Sequence, residues 1–309
     1  MDVRQLKFFL AVVDHGGFSK AAEHLMVAQP SLSQAIAGFE RELGTPLFHR
    51  VGRGVVLSDA GTALVGPART VLRDVDEADA AMRELKGLRG GRLDLITMPS
   101  PGMEPLTTIL TAFARLHPDV TINAEAGFTP EEILDNVRSG VCEIGILGSP
   151  QPTRAPDLTV VALESQALVL ISGPDVPVAP GNTVRRDELD GCRLIVSQRG
   201  SLMRALVDDV LAEGTRITIA AEIAHRTSIL PMVLNGLGRA VMPSAWTESA
   251  RRAGAHVQRI VPESYLHVAA VSRPRHLTAP AAVLMDEASR YGRRADRSAQ
   301  PVSPYSSNQ

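Results

Sequence analysis

Several scarcities narrow what this chain can be. It holds only two cysteines, Cys142 and Cys192, too few for a disulfide framework and suited to a reducing compartment. Aromatic residues make up 4% of the 309 positions, so Leu, Val, Ile and Ala must fill the cores. An excess of positive charge is missing: the formal balance is −2, and any nucleic-acid surface must therefore be local. No apolar run approaches the length of a membrane span, and the start, MDVRQLKFFLAVVDHGGF, has no long apolar h-region. A soluble, cytoplasmic protein with no signal peptide and no membrane partner is expected.

Catalytic signatures are scarce too. No G-x-S-x-G elbow, P-loop, H-E-x-x-H or Cys/His metal spacing occurs. The chain is expected to have no catalytic residues, no metal and no cofactor. Gly236, Leu237 and Gly238 partly match a dinucleotide fingerprint, but they lie between a helix and the following strand, the reverse of the order that chemistry needs.

What is present is a globular composition, 44% hydrophobic, on a length that suits two or three compact units. Leu6, Phe9, Leu10 and Val13 recur at helical spacing before Gly16 and Gly17. Ser19 offers an N-cap to a short helix with Ala21, Ala22 and Leu25 inside. A brief turn follows. Pro30 then suits the start of another helix, with Leu32, Ile36, Phe39 and Leu43 as its buried stripe and Gly44 and Pro46 as its stop. This is a helix-turn-helix. Residues 47–50 and 55–57 flank Gly52, Arg53 and Gly54, a two-stranded wing with an arginine at its tip.

Ser58 and Asp59 open a long helix expected to reach about Leu88, on the order of 45 Å. Its apolar residues Leu64, Ala68, Val71, Val75, Ala78, Met82 and Leu85 alternate spacings of four and three. That heptad seam calls for a partner helix, most simply from a second copy. Pro67 should kink or break it. Beyond Gly87, Gly90 and Gly91, strand-like runs alternate with amphipathic helices, which reads as an α/β unit with largely parallel sheets arranged as two lobes. From about Arg293 the chain turns polar, and a disordered tail over 293–309 is expected.

The N-terminal stretch closely resembles the LysR-type transcriptional regulators. Phe8, Phe18, Ala21, Ala22, Leu25, Gln29, Pro30, Ser33, Ile36, Glu40, Leu43, Gly44, Leu47, Phe48, Arg50 and Gly61 carry the match. Gly236, Leu237, Gly238, Met242 and Pro243 resemble the family's effector domain. The resemblance implies a winged helix-turn-helix (1–58), a dimerising linker helix (59–88) and a two-lobed, periplasmic-binding-protein-like α/β effector domain (92–292). Lobe I then covers about 92–163 and 268–292, and lobe II about 164–267. A dimer or tetramer on promoter DNA, with a small effector between the lobes, is implied. Pro67 departs from the family pattern, and Cys142 has no family role.

Only the start of a helix can bring short polar side chains to base edges in the major groove. Gln29, Pro30, Ser31, Ser33 and Gln34 are therefore expected to face DNA, with Arg50 and Arg53 on phosphates or in the minor groove and Lys20 on the backbone. A plain solvated helix face is the competing reading. In the sensor, Thr97, Met98 and Ser100 follow the first strand, where α/β proteins bind ligands. By analogy with the family, Thr129, Ser197, Ser201, His225 and Thr227 line the same cleft, and their hydroxyls favour a carboxylate; equally, such hydroxyls cap helices. A cytoplasmic small-molecule-binding protein and a redox-responsive regulator using Cys142 and Cys192 are the alternatives.

Overall fold

The computed structural model describes residues 1–51, 54–85, 91–275 and 277–299. The chain divides into two units, residues 1–91 with 138–142, and the remainder.

In the first unit, α1 (Val3–Asp14) begins with a reciprocal cap in which the Asp2 carboxylate accepts from the Gln5 amide and the Gln5 side chain accepts from that of Asp2. α2 (Phe18–His24) starts one residue before the expected Ser19 cap. Ser19 lies exposed within the first turn, because the Phe18 ring is fixed against Phe48 at 5.7 Å. α3 (Gln29–Leu43) ends at Gly44, whose φ of 72° favours glycine. Leu32, Ile36 and Phe39 are buried, but Leu43 is 37% exposed because the core ends a turn before the helix does. These side chains close on Leu6, Phe9, Leu10, Ala21, Ala22 and Leu47.

The hairpin β1 (Phe48–Val51) and β2 (Gly54–Leu57) is antiparallel, and the wing-tip Arg53 lies outside the described residues. Next comes α4 (Asp59–Leu85), whose Gly61 amide donates to the Ser58 hydroxyl at 3.0 Å. A Cβ on Gly61 would collide with the Leu47 carbonyl, so glycine lets the helix meet the hairpin. Of the kink or break expected at Pro67, the break does not occur, since α4 runs unbroken through it; the proline leaves the Ala63 carbonyl without its helical donor. Leu64 and Ala68 pack on the unit's own core, while Val71 and Ala78 are exposed and Val75 is half-buried. Met82 and Leu85 lie on the helix, with their side chains outside the description.

The second unit runs β3 (Gly91–Thr97), α5 (Pro99–Met103), α6 (Leu106–Leu116), β4 (Val120–Ala126), α7 (Pro130–Ser139), β5 (Ile144–Ser149) and β6 (Thr159–Ser172). It continues through β7 (Thr183–Arg185), β8 (Arg193–Ser197), α8 (Leu202–Ala212), β9 (Thr218–Ile223), α9 (Ile229–Leu234) and β10 (Arg239–Pro243). α10 (Thr247–Arg252), β11 (His256–Val261), β12 (Tyr265–Ser272) and α11 (Ala279–Ala299) complete it. The strand path is β4-β3-β5-β12-β6-β10-β8-β9, with β11 on β6 and β7 on β11.

The sheet is mixed rather than largely parallel. β3 and β5, β8 and β9, and β8 and β10 pair in parallel, but β6 is antiparallel to β12, β10 and β11. β6 is 14 residues long and serves both lobes. It pairs with β12 up to Ala167 and with β10 from Leu168 onward. One lobe packs Leu93, Leu95, Ile144 and Ile146 against Phe113, Leu284 and Met285. The other packs Leu194 and Val196 on Val207 and Val210, and Ile171 and Ile195 on Val233 and Trp246.

The expected disordered tail is corrected at its start: α11 continues to Ala299. Ala and Arg are good helix formers, so polarity alone did not end the helix. Residues 300–309 lie outside the described residues. Among the described residues no helix is long and apolar enough to cross a membrane.

Candidate nucleic-acid interface and effector cleft

The polar start of α3 is built on an apolar foundation. Gln29, Pro30, Ser31 and Gln34 are exposed, Ser33 is half-buried, and the Gln29 amide donates to the Ser33 hydroxyl at 3.2 Å. The helix has no side-chain N-cap, since Ala28 occupies that place. Pro30 has no N–H and the Ser31 amide donates to the Ala28 carbonyl at 3.0 Å, so it is chiefly the positive end of the helix dipole that favours an anion such as a phosphate there. Lys20 is exposed on α2. One carboxylate fixes the wing to this helix: Glu40 Oε1 accepts from the Leu47 and Phe48 amides at 2.7 and 3.1 Å. Arg50 belongs to β1 by its backbone. The turn before α3 also presents Met26, 91% exposed and at a φ of 53°; a residue type alone does not reveal such strain.

In the second unit the expected cleft residues converge in two groups. Thr97 ends β3, and its carbonyl accepts from the Gly127 amide at 3.0 Å, which brings the loop before α7 alongside. Thr129 in that loop caps α7 by accepting from the Glu132 amide. Met98 turns its side chain inward, its sulfur accepting from the Gly148 amide at 3.4 Å. Ser100 is 1% exposed.

Across the cleft, the Ser197 and Ser201 hydroxyls are 2.6 Å apart, and Ser201 caps α8 by accepting from the Arg204 amide. His225 and Thr227 are exposed at the 3-10 turn 226–228. Thr227 also edges a shallow hollow with Ser228, Pro231, Met232 and Asn235. Helix capping therefore accounts for Thr129 and Ser201 in part, and it places both hydroxyls at the mouths of their helices.

The two groups meet through a residue that sequence reasoning missed. Trp246, the chain's single tryptophan, is 3% exposed and donates from Nε1 to the Ser100 hydroxyl at 3.4 Å. α5 packs against the turn carrying Trp246 and against turn 226–228, and Met103 joins the second lobe's core. Only tryptophan's rarity could have drawn notice beforehand. Both cysteines are buried. Burial pushes the Cys192 thiol pKa up, more than neighbouring Arg239 lowers it.

Residues 86–292 match the LysR substrate binding domain, and residues 3–62 match the bacterial regulatory helix-turn-helix of the lysR family. The chain belongs to the LysR family. It is a LysR-type DNA-binding transcriptional regulator with an effector-binding domain. This LysR chain is similar to a probable RuBisCO transcriptional regulator of Synechocystis sp., 28% identical over 249 residues, 79% of this chain and 72% of that protein. Among solved structures it resembles full-length CbnR complexed with its target DNA (TM-score 0.65, 23% identity, 96% of this chain and 100% of that one). It also resembles the effector-binding domain of QuiR in complex with shikimate (TM-score 0.54, 20% identity, 66% of this chain and 98% of that one).

Proposed function

We propose that this LysR regulator acts in the cytoplasm, binds promoter DNA as a homodimer or homotetramer, and answers to a small effector held between the two lobes of its second unit. Its chemistry is binding alone, with no catalytic step and no cofactor. The observation that carries the DNA side is the exposed row Gln29, Pro30, Ser31 and Gln34 at the uncapped start of α3. CbnR, similar in fold, is complexed with its target DNA. The exposed Val71 and Ala78 on α4 support pairing with a second copy. On the sensing side, support comes from the paired Ser197 and Ser201 hydroxyls of one lobe and from the Ser100 to Trp246 contact that joins it to the other. A redox role is disfavoured by two buried thiols, one of them pushed toward its neutral form.

Fluorescence anisotropy with the DNA upstream of the chain's own gene is the test. Glutamine reads adenine through two hydrogen bonds worth about 1–3 kcal/mol, so Gln29→Ala is expected to weaken operator binding roughly 5- to 150-fold while binding to random DNA stays as it was. An operator affinity equal to wild type would remove Gln29 from the reading surface. Failure of the wild type to bind that DNA at low salt would remove the whole proposal.

A further inference from the structure

The cleft hydroxyls are neutral, but the turn after β9 carries a cation, Arg226, that no motif marks. Arg226 opens the turn 226–228 and is half-buried. Among the described residues no carboxylate or other acceptor meets its guanidinium. Other arginines of this lobe are held by carboxylates, while Arg193, Arg199 and Arg251 stand exposed in solvent. Arg204 bonds to Asp208 at 2.7 Å and to Glu222 at 2.6 Å, Arg216 holds Asp190 at 2.7 Å, and Arg185 holds Asp187 at 2.9 Å. Burial also lowers the Arg226 pKa, with nothing drawing it back. A cation withdrawn from water without a counter-charge costs free energy, and a bound anion would recover that cost.

Topology puts this cation in the cleft. Ser197 of β8 pairs with Ile223 of β9 in parallel register, so the loops 198–201 and 224–228 leave the sheet side by side. The first loop carries the exposed Arg199 and ends at the start of α8. α5 of the other lobe packs against turn 226–228. The nearest carboxylate on β9, Glu222, is already held by Arg204.

We propose that Arg226 is the charge anchor for a small effector bearing an oxyanion, a carboxylate or a phosphate, with Arg199 as the outer cation of the same subsite. This rests on the cleft reading above. It adds the residue that selects the ligand's charge.

The experiment is a thermal-shift measurement on the full chain with sodium succinate and with sodium phosphate, each against sodium chloride at matched ionic strength. At a tenfold excess over Kd, a bound anion raises Tm by about 3–6 °C. Wild type should show that rise with at least one of the two anions, and which one responds separates carboxylate from phosphate. Arg226→Gln should lose most of the rise and Arg226→Lys should keep part of it. Without anion, Arg226→Gln should melt no lower than wild type, since it removes an uncompensated charge. Equal rises in wild type and Arg226→Gln, or no rise in wild type with either anion, would overturn the proposal. A Ser100→Val variant keeps the two readings apart. If it abolishes a rise that Arg226→Gln retains, the cleft stands and the anchor falls. If neither substitution alters the rise, both fall.

Discussion

The two units of this regulator handle polar groups in opposite ways. In the reader, the only polar side chain among the described buried residues is Ser58, and the polar residues expected to meet DNA stand outside on an apolar core. In the sensor, Ser100, Glu143, Gln166, Ser197, Ser201, Arg204 and Gln258 are all buried. A surface that must fit a fixed double helix gains from a rigid apolar support. A site that must take in a ligand and report it keeps polar contacts where its parts meet, because those contacts can be exchanged for contacts to the ligand.

The largest expected effect tests the reader's half of this contrast. Phe39 is fully buried in the apolar core that supports α3. Phe39→Ala should cost about 3–5 kcal/mol and abolish operator binding without touching a polar residue. Differential scanning calorimetry would show the reader's transition moving far down while the sensor's stays in place. A matching drop in both transitions would mean that the two units unfold as one.

A smaller effect sits at the sensor's lobe junction. Ser100→Ala leaves the buried Trp246 N–H without its acceptor, at a cost of about 1 kcal/mol, near the low end for an orphaned buried donor because the bond is long at 3.4 Å. Trp246 is the chain's single tryptophan, so its emission reports the junction directly. The spectrum is expected to shift in Ser100→Ala. An emission unchanged from wild type would show that the contact does not hold the lobes.

How much of this was legible in the sequence follows from how far apart the partners lie. The reader is written in local signals: the apolar stripes of α1 and α3, the glycine stop at Gly44, and the Ser58 cap all act within a turn or two of chain. The sensor's alternation of strands and helices was legible for the same reason. Its antiparallel centre was not, since β6 and β12 pair residues such as Ser165 and His267 that lie 102 positions apart. The Ser100 and Trp246 contact spans 146 positions. The hydroxyls at Thr129 and Ser201 were found because helix starts have a signature. Arg226 was missed because an unpaired arginine in a cleft reads, as sequence, like any solvated one. Over 293–299 helix propensity outweighs polarity, which composition alone does not reveal.

The smallest expected effect asks whether the sensor's half-buried polar contacts depend on charge as the reader's apolar core cannot. Tyr291 on α11 donates to Glu164 Oε2 on β6 at 2.6 Å, and a Cβ on the adjacent Gly292 would collide with the Ala162 carbonyl, so helix and strand lie in close contact there. Burial first, then the Glu164 carboxylate, push the phenol pKa well above its ordinary value of 10.0. Above a pH of about 10 the unfolded chain therefore gives up this proton while the folded chain keeps it, and stability falls as pH rises. Below that pH the contribution is fully present. Tyr291→Phe should lose about 1 kcal/mol at pH ~8, the worth of the hydrogen bond. The deficit should shrink at pH ~10.5, because the variant lacks the proton-linked fall. Urea midpoints of the two proteins at both values measure the gap directly. A gap that stays constant between them would mean that Tyr291 contributes packing alone, and the contrast between an apolar reader and a charge-linked sensor would lose this support.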